Sequence, residues 1–219
     1  MKKLFAFTLA ETLIVMGVIG VVAALTLPNL NSSTGDKEKV AKVKKLYQNL
    51  SDATGRAWVV YDNKINENRI IEFLKISKNC GQTGSGCEST SAKKLDNSNG
   101  DILSEYGSHA EVGYTYLLAD GTALAIGGYT DYFAIDIDGP NKGANTWGKD
   151  LFAFDINNGE VYPIGYKLTD AQLKDSCFKT GVHCTGWVVQ NENMDYLKAD
   201  RTGKCPNGTQ LSWTNTTCK

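Results

Sequence analysis

The sequence predicts an α+β protein: a long N-terminal membrane helix, an amphipathic helix packed on a small antiparallel sheet, and a disulfide-bearing C-terminal region. Three observations carry this expectation. An apolar run of helical length opens the chain, a polar stretch with a 3.6-residue period follows, and between residues 111 and 164 the period changes to two. With 219 residues and 42% hydrophobic content, the chain suffices for one modest domain with a short appendage.

Lys2 and Lys3 precede a stretch, Leu4 to Leu27, that is apolar except for Thr8, Glu11, Thr12 and Thr26. Lysines before an apolar run hold that end in the cytoplasm. The expected placement is therefore a single-pass protein of the cytoplasmic membrane, with its C-terminal domain periplasmic or extracellular. The 21 residues from Phe7 to Leu27 span about 30 Å as a helix, the thickness of a bilayer core. A secretory signal peptide has a shorter apolar core, about 7–15 residues. A carboxylate at membrane depth costs at least about 2.5–3.5 kcal/mol. Glu11 is thus either a functional intramembrane group or a residue at the cytoplasmic headgroups, and position alone leaves both open. Ala10, Gly17 and Ala24 recur every seven residues. Such a stripe lets helices approach closely, though glycine and alanine are also ordinary in membrane helices.

Pro28 ends the apolar run, and Asn29 to Gly35 is rich in turn formers, so a break is expected there. From Asp36 onward Val40, Val43, Tyr47, Leu50, Ala53 or Thr54, Ala57 and Val60 or Tyr61 mark one face of a second, amphipathic helix. Lys37, Lys39, Lys42, Lys44 and Lys45 read as its solvated face rather than as a lipid-headgroup site. Ile70 to Ile76 is expected to form a short helix and Ser89 to Asp101 an exposed loop. Strands are expected over Glu111–Leu118, Thr122–Ile126, Tyr132–Ile137, Leu151–Ile156 and Glu160–Ile164. Asp120-Gly121 and Asn157-Asn158-Gly159 supply hairpin turns. Thr169 and Gln172 stand in capping-box spacing at the start of a short helix, and Gly186-Trp187 begins another buried segment.

The six cysteines Cys80, Cys87, Cys177, Cys184, Cys205 and Cys218 lack the two-to-four-residue pairing of zinc ligands. An even number in this pattern favours disulfides in an oxidising compartment. Fifteen connectivities exist in principle. Sequential pairing closes the shortest loops and is the preferred one.

The run Ala6-Phe7-Thr8-Leu9-Ala10-Glu11-Thr12-Leu13-Ile14-Val15-Met16, continuing to Pro28, resembles the N-terminal signature of type IV prepilins and type II secretion pseudopilins. The resemblance covers about the first thirty residues. It implies that a prepilin peptidase cuts between Ala6 and Phe7 and methylates the new amine. Residues 1–6 are then a leader, 7–28 a transmembrane and assembly helix, and 29–219 an extracytoplasmic pilin-like domain. The family usually carries glycine before the cut, and Ala6 in its place implies slower processing. Cleavage leaves a cationic amine on Phe7 at the depth of Glu11, and neither charge is stable in hydrocarbon unless paired. They can meet within one helix as an i, i+4 pair. Between staggered subunits, Glu11 of an arriving chain can instead meet the amine of the chain already installed, which sets the register of assembly.

Net charge is −1, so no electrostatic footprint points to nucleic acid. His109 and His183 sit in no zinc-ligand pair, Gly84-Ser85-Gly86 is not a nucleophile elbow, and no phosphate loop occurs, so no catalytic residue is assigned. The loop from Asp136 to Asp150 gathers oxygen ligands of the kind calcium takes, which makes a calcium site one reading of it, but it lacks EF-hand spacing and the terminal Glu. Turn-forming Asx residues explain it equally well, and no metal or other cofactor is assigned. The expectation is a structural subunit, pseudopilin or minor pilin, with prepilin peptidase, other pilin subunits and membrane lipid as partners. The alternative is a membrane-anchored binding subunit for DNA uptake or adhesion. A solitary anchored domain is the third reading.

Overall fold

The computed structural model describes residues 9–82, 86, 87, 92–100, 114–126, 132–140, 142 and 145–219, with the backbone alone at 9, 11, 23–34 and 67. The chain divides into two compact units, Met1–Glu38 and Lys39–Lys219. Helix α1, Leu9–Val60, contributes to both.

The helical assignment of α1 is continuous through Pro28 and the Asn29–Gly35 stretch, where the sequence predicted a break. A proline removes one donor from the helical ladder, and the polar residues after it disfavour helix by less than about 1 kcal/mol each. Good helix formers on both sides can carry propagation across such a stretch.

In the second unit α1 buries Val40, Val43, Leu46, Leu50, Ala53 and Ala57, the stripe its periodicity predicts, with Leu46 added to it. The stripe stops at Ala57, since Val60 is exposed and Tyr61 only partly buried. Opposite it lies a six-stranded antiparallel sheet in the order β1-β3-β4-β5-β7-β8. Its strands are β1 (Ile76–Gly81), β3 (Tyr114–Leu118), β4 (Ala123–Ile126), β5 (Tyr132–Asp136), β7 (Leu151–Asn157) and β8 (Glu160–Pro163). The intervening β2 (Ala92–Lys93) and β6 (Asn145–Thr146) form a separate parallel pair.

Directly paired residues share a sheet face. The register therefore puts Tyr116 and Leu124, Ile126 and Phe133, and Ile135 and Phe152 on one side. Tyr47 of α1 stacks on Phe154 of the same side at 5.7 Å, so this is the helix-facing surface. β5 is buried on both faces, because the C-terminal region covers the back of the sheet. There Trp147, Leu151, Ala153, Ile164 and Val182 form a second small core.

Two expectations are corrected. Ile76 belongs to β1, not to the one-turn helix α2 (Glu67–Ile71): it pairs with Leu118 at the sheet edge. A short apolar run fits either period, and the free edge of β3 decides it. The Ser89–Asp101 segment contains β2, and Leu95 in it is buried with its N–H donating to the Thr180 carbonyl. Its partners lie fifty to ninety residues away, beyond any local pattern.

The capping box forms as predicted, with Thr169 capping α3 (Asp170–Leu173) and Gln172 answering it. A π-helical turn, Lys174–Phe178, follows, and then α4 (Thr185–Asn191) buries Trp187 and Val188. The cysteines pair sequentially as Cys80–Cys87, Cys177–Cys184 and Cys205–Cys218. Asp195 accepts the Cys218 N–H at 2.8 Å and fastens the last loop to the domain.

Candidate functional site

The sequence places its functional residues at the start of α1. Glu11 lies within the helix, but its side chain, together with Ala6 and Phe7, falls outside the described residues. Its neighbours are described. Leu13, Ile14, Val15, Met16, Val18, Ile19, Val21 and Val22 are all more than half exposed, on every side of the helix. A helix that is apolar all round is a buried or membrane element, because water would leave that surface uncompensated. A Cβ added at Gly17 or Gly20 would meet nothing within 4 Å, so no packing inside this chain requires glycine there. Among the described residues no helix is long and apolar enough to cross a membrane. The described side chains of this stretch cover residue 10 and residues 12–22, about half of the predicted span.

Three lysines of the α1 cluster reach carboxylates of their own unit, while Lys37 and Lys45 stay exposed to solvent. Lys39 pairs with Asp150 at 2.5 Å, Lys44 with Glu192 and Lys45 with Asp120 at 3.8 Å. Each pair joins α1 to a different loop of the same unit. The Lys39–Asp150 pair matters most, since Asp150 is nearly buried and an unpaired carboxylate there would be costly. Exposed pairs such as Lys45–Asp120 contribute about 0–1 kcal/mol.

The Asp136–Asp150 loop is organised by its own groups. Asp136 accepts from the N–H groups of Asp138 at 3.2 Å and Gly139 at 2.9 Å, and from Asn145 Nδ2 at 2.9 Å. This is the Asx-turn arrangement. Burial pushes the Asp138 carboxyl above the usual range, helped by its hydrogen bond to Asp136 and by that group's charge. Among the described residues no group of three or more His, Cys, Asp or Glu is placed to hold a metal ion. Residues 141, 143 and 144 of this loop, and His109, lie outside the description. Trp147, read only as part of a polar loop, is fully buried and donates its indole N–H to the Gly100 carbonyl at 2.9 Å. A single tryptophan among turn formers is the local signal that marks such an anchor.

The structure also exposes a feature the periodicity concealed. Val59 and Val60 are 79% and 62% exposed at the end of α1. Val59 and Val60 follow the exposed Arg56 by three and four residues, which puts both on the solvent side of the helix, and that spacing is the signal in the sequence. On the same flank, a groove of about 560 Å³ runs between α1 and the β3–β4 turn, floored by Leu46, Leu50, Phe73 and Leu74.

In comparisons with known proteins, no family model, no curated protein and no solved structure matches the chain.

Proposed function

We propose that this chain is a structural subunit of the pilin or pseudopilin kind, anchored in the cytoplasmic membrane by α1 and assembled into a filament after removal of residues 1–6. The observation that carries the reading is the division of labour along α1. Its first part is apolar around its whole circumference with one carboxylate, Glu11, while its second part is amphipathic and buries one stripe under the sheet. Three disulfides support an extracytoplasmic place for the domain, where thiols oxidise. The binding-subunit alternative gains nothing from the lysine cluster, three members of which are tied to carboxylates of their own domain.

In this reading Glu11 serves assembly by meeting the Phe7 amine of a neighbouring subunit. Glu11→Ala is expected to insert into the membrane at normal levels and to yield no filament, read by electron microscopy and by quantification of sheared material. Filament at wild-type yield would sink the assigned role of Glu11. Mass spectrometry of membrane-extracted protein should find a methylated Phe7 N-terminus, and an intact Met1-Lys2-Lys3 leader would sink the processing step.

A further inference from the structure

We infer that Asn158 is a site of spontaneous covalent modification: its side-chain amide is lost to attack by the Gly159 nitrogen, and the turn between β7 and β8 ages to aspartate and isoaspartate. The inference is independent of the filament reading, since the reaction needs only this chain and water.

Asparagine followed by glycine is the pair best suited to this reaction, because glycine has no Cβ to hinder its nitrogen from reaching the asparagine Cγ. The sequence holds three such pairs, Asn99-Gly100, Asn158-Gly159 and Asn207-Gly208, and all three asparagines are exposed. What separates them is the hold on the attacking nitrogen. Gly100 donates its N–H to the Ala92 carbonyl at 3.0 Å, and its own carbonyl accepts the Trp147 indole N–H at 2.9 Å. Gly208 donates to the Cys205 carbonyl at 2.9 Å, and Asn207 Oδ1 accepts the Thr209 N–H at 3.0 Å within the loop closed by Cys205–Cys218. Among the described residues, neither the Gly159 N–H nor the Asn158 side chain makes a hydrogen bond. The turn is closed by the pair Asn157 and Glu160, which leaves the two residues between them outside the ladder.

The chemistry balances with water alone. The Gly159 nitrogen gives its proton to solvent base and bonds to Asn158 Cγ; the Cγ–Nδ2 bond breaks, ammonia departs, and a five-membered imide remains. Water then opens one of the two C–N bonds of the imide. Opening at Cγ leaves aspartate at position 158, and opening at the main-chain carbonyl leaves isoaspartate, whose backbone is longer by one carbon. Attack requires the Asn158 peptide to rotate out of its left-handed geometry, φ +50°, so each event passes through a brief opening of the hairpin tip. That tip lies at the sheet edge, where β8 has β7 as its one neighbour and four paired residues, and such ends open at low cost. The product cannot reseat as before. A Cβ on Gly159 would already come within 2.4 Å of the Trp58 ring, so a lengthened backbone moves the turn away from the end of α1.

The test incubates the full chain, extracted in detergent, near neutral pH and follows the peptide around each Asn-Gly pair by mass spectrometry, with an isoaspartyl methyltransferase assay for the second product. Conversion at Asn158 is expected to run at least about tenfold faster than at Asn99 or Asn207, since each of those glycines must first release a hydrogen bond at its nitrogen. In denaturant the three rates should converge, because the same dipeptide is then free at every site. Equal rates in the folded chain, faster conversion at Asn99 or Asn207, or a folded chain that stays silent while the unfolded one converts would each overturn the inference. Rates that stay apart in denaturant would overturn it too, by assigning the difference to sequence rather than fold. Asn158→Gly keeps the positive φ and removes the amide. Its aged sample should hold its melting temperature while aged wild type melts lower, and an equal fall in both would refute the loosening of the turn from α1.

Discussion

Asp138 shows what one carboxyl does when its loop is built from its own polar groups. One of its oxygens is buried without a hydrogen-bond partner, and Asp136 stands beside it. Its folded-state pKa is raised, so its contribution to stability is fully present below the ordinary Asp value and is lost as pH rises through the raised value. Asp138→Asn removes the charge and keeps a donor. At pH 7 the variant should gain a few tenths to about 1 kcal/mol, a range discounted for partial solvent access. The gain should vanish as pH falls toward about 4, the ordinary range for Asp. Asp96 and Asp200 are shifted the opposite way by their Ser98 and Thr202 hydrogen bonds, so they favour the fold above their depressed values in both proteins. Their effect cancels in the difference between the two melting curves across pH. A constant difference would show that desolvation of this charge is not what Asn relieves.

At the level of elements, the turn between β7 and β8 carries more than the hairpin. Asn158 and Gly159 both have positive φ, as a type I′ turn requires. A Cβ on Gly159 would also come within 2.4 Å of the Trp58 ring, so the end of α1 rests on this turn. Gly159→Ala is expected to cost about 1–3 kcal/mol, combining backbone strain with overpacking, and to shift the urea midpoint accordingly. The Asn-Gly pair was legible as a turn, because both central residues must tolerate a left-handed backbone. That a tryptophan a hundred residues earlier presses on it was not legible, because nothing local couples them. The two edges of the main sheet are both blunted against strand addition. β8 ends in Pro163, which has no N–H, and β1 is irregular against β3 at two points. Both are recognised ways of blunting an edge.

Across the whole molecule, three short loops are closed by cystines in different surroundings. Cys80–Cys87 and Cys177–Cys184 have the same sequence separation, 7, so the entropy of loop closure is equal for both, about 2–3 kcal/mol in the chain model. Cys177 and Cys184 are both fully buried in the main core with Phe178 and Trp187, whereas of the other pair Cys87 is fully buried and Cys80 is partly exposed. Replacing Cys177 and Cys184 with Ser should therefore cost about 1 kcal/mol more than the same exchange at Cys80 and Cys87, because it buries two hydroxyls instead of one. Chemical denaturation of the two double variants measures it. Equal losses would mean that the packing around Cys177 contributes nothing beyond the closed loop.

The sequence by itself determined the α+β class, the buried stripe of α1 from Val40 to Ala57, five of the six strands of the main sheet, the Thr169 cap and the pairing preference of the cysteines. These follow from periodicity, turn chemistry and loop length, all local. Only the tertiary structure decided that Ile76 starts an edge strand and that Leu95 and Trp147 are buried. It also decided that Lys39, Lys44 and Lys45 are held by Asp150, Glu192 and Asp120, and that Val59 and Val60 remain outside the core. Each depends on what lies opposite after the chain has folded back across long separations. A partner of that kind leaves no mark on the residues beside it in sequence.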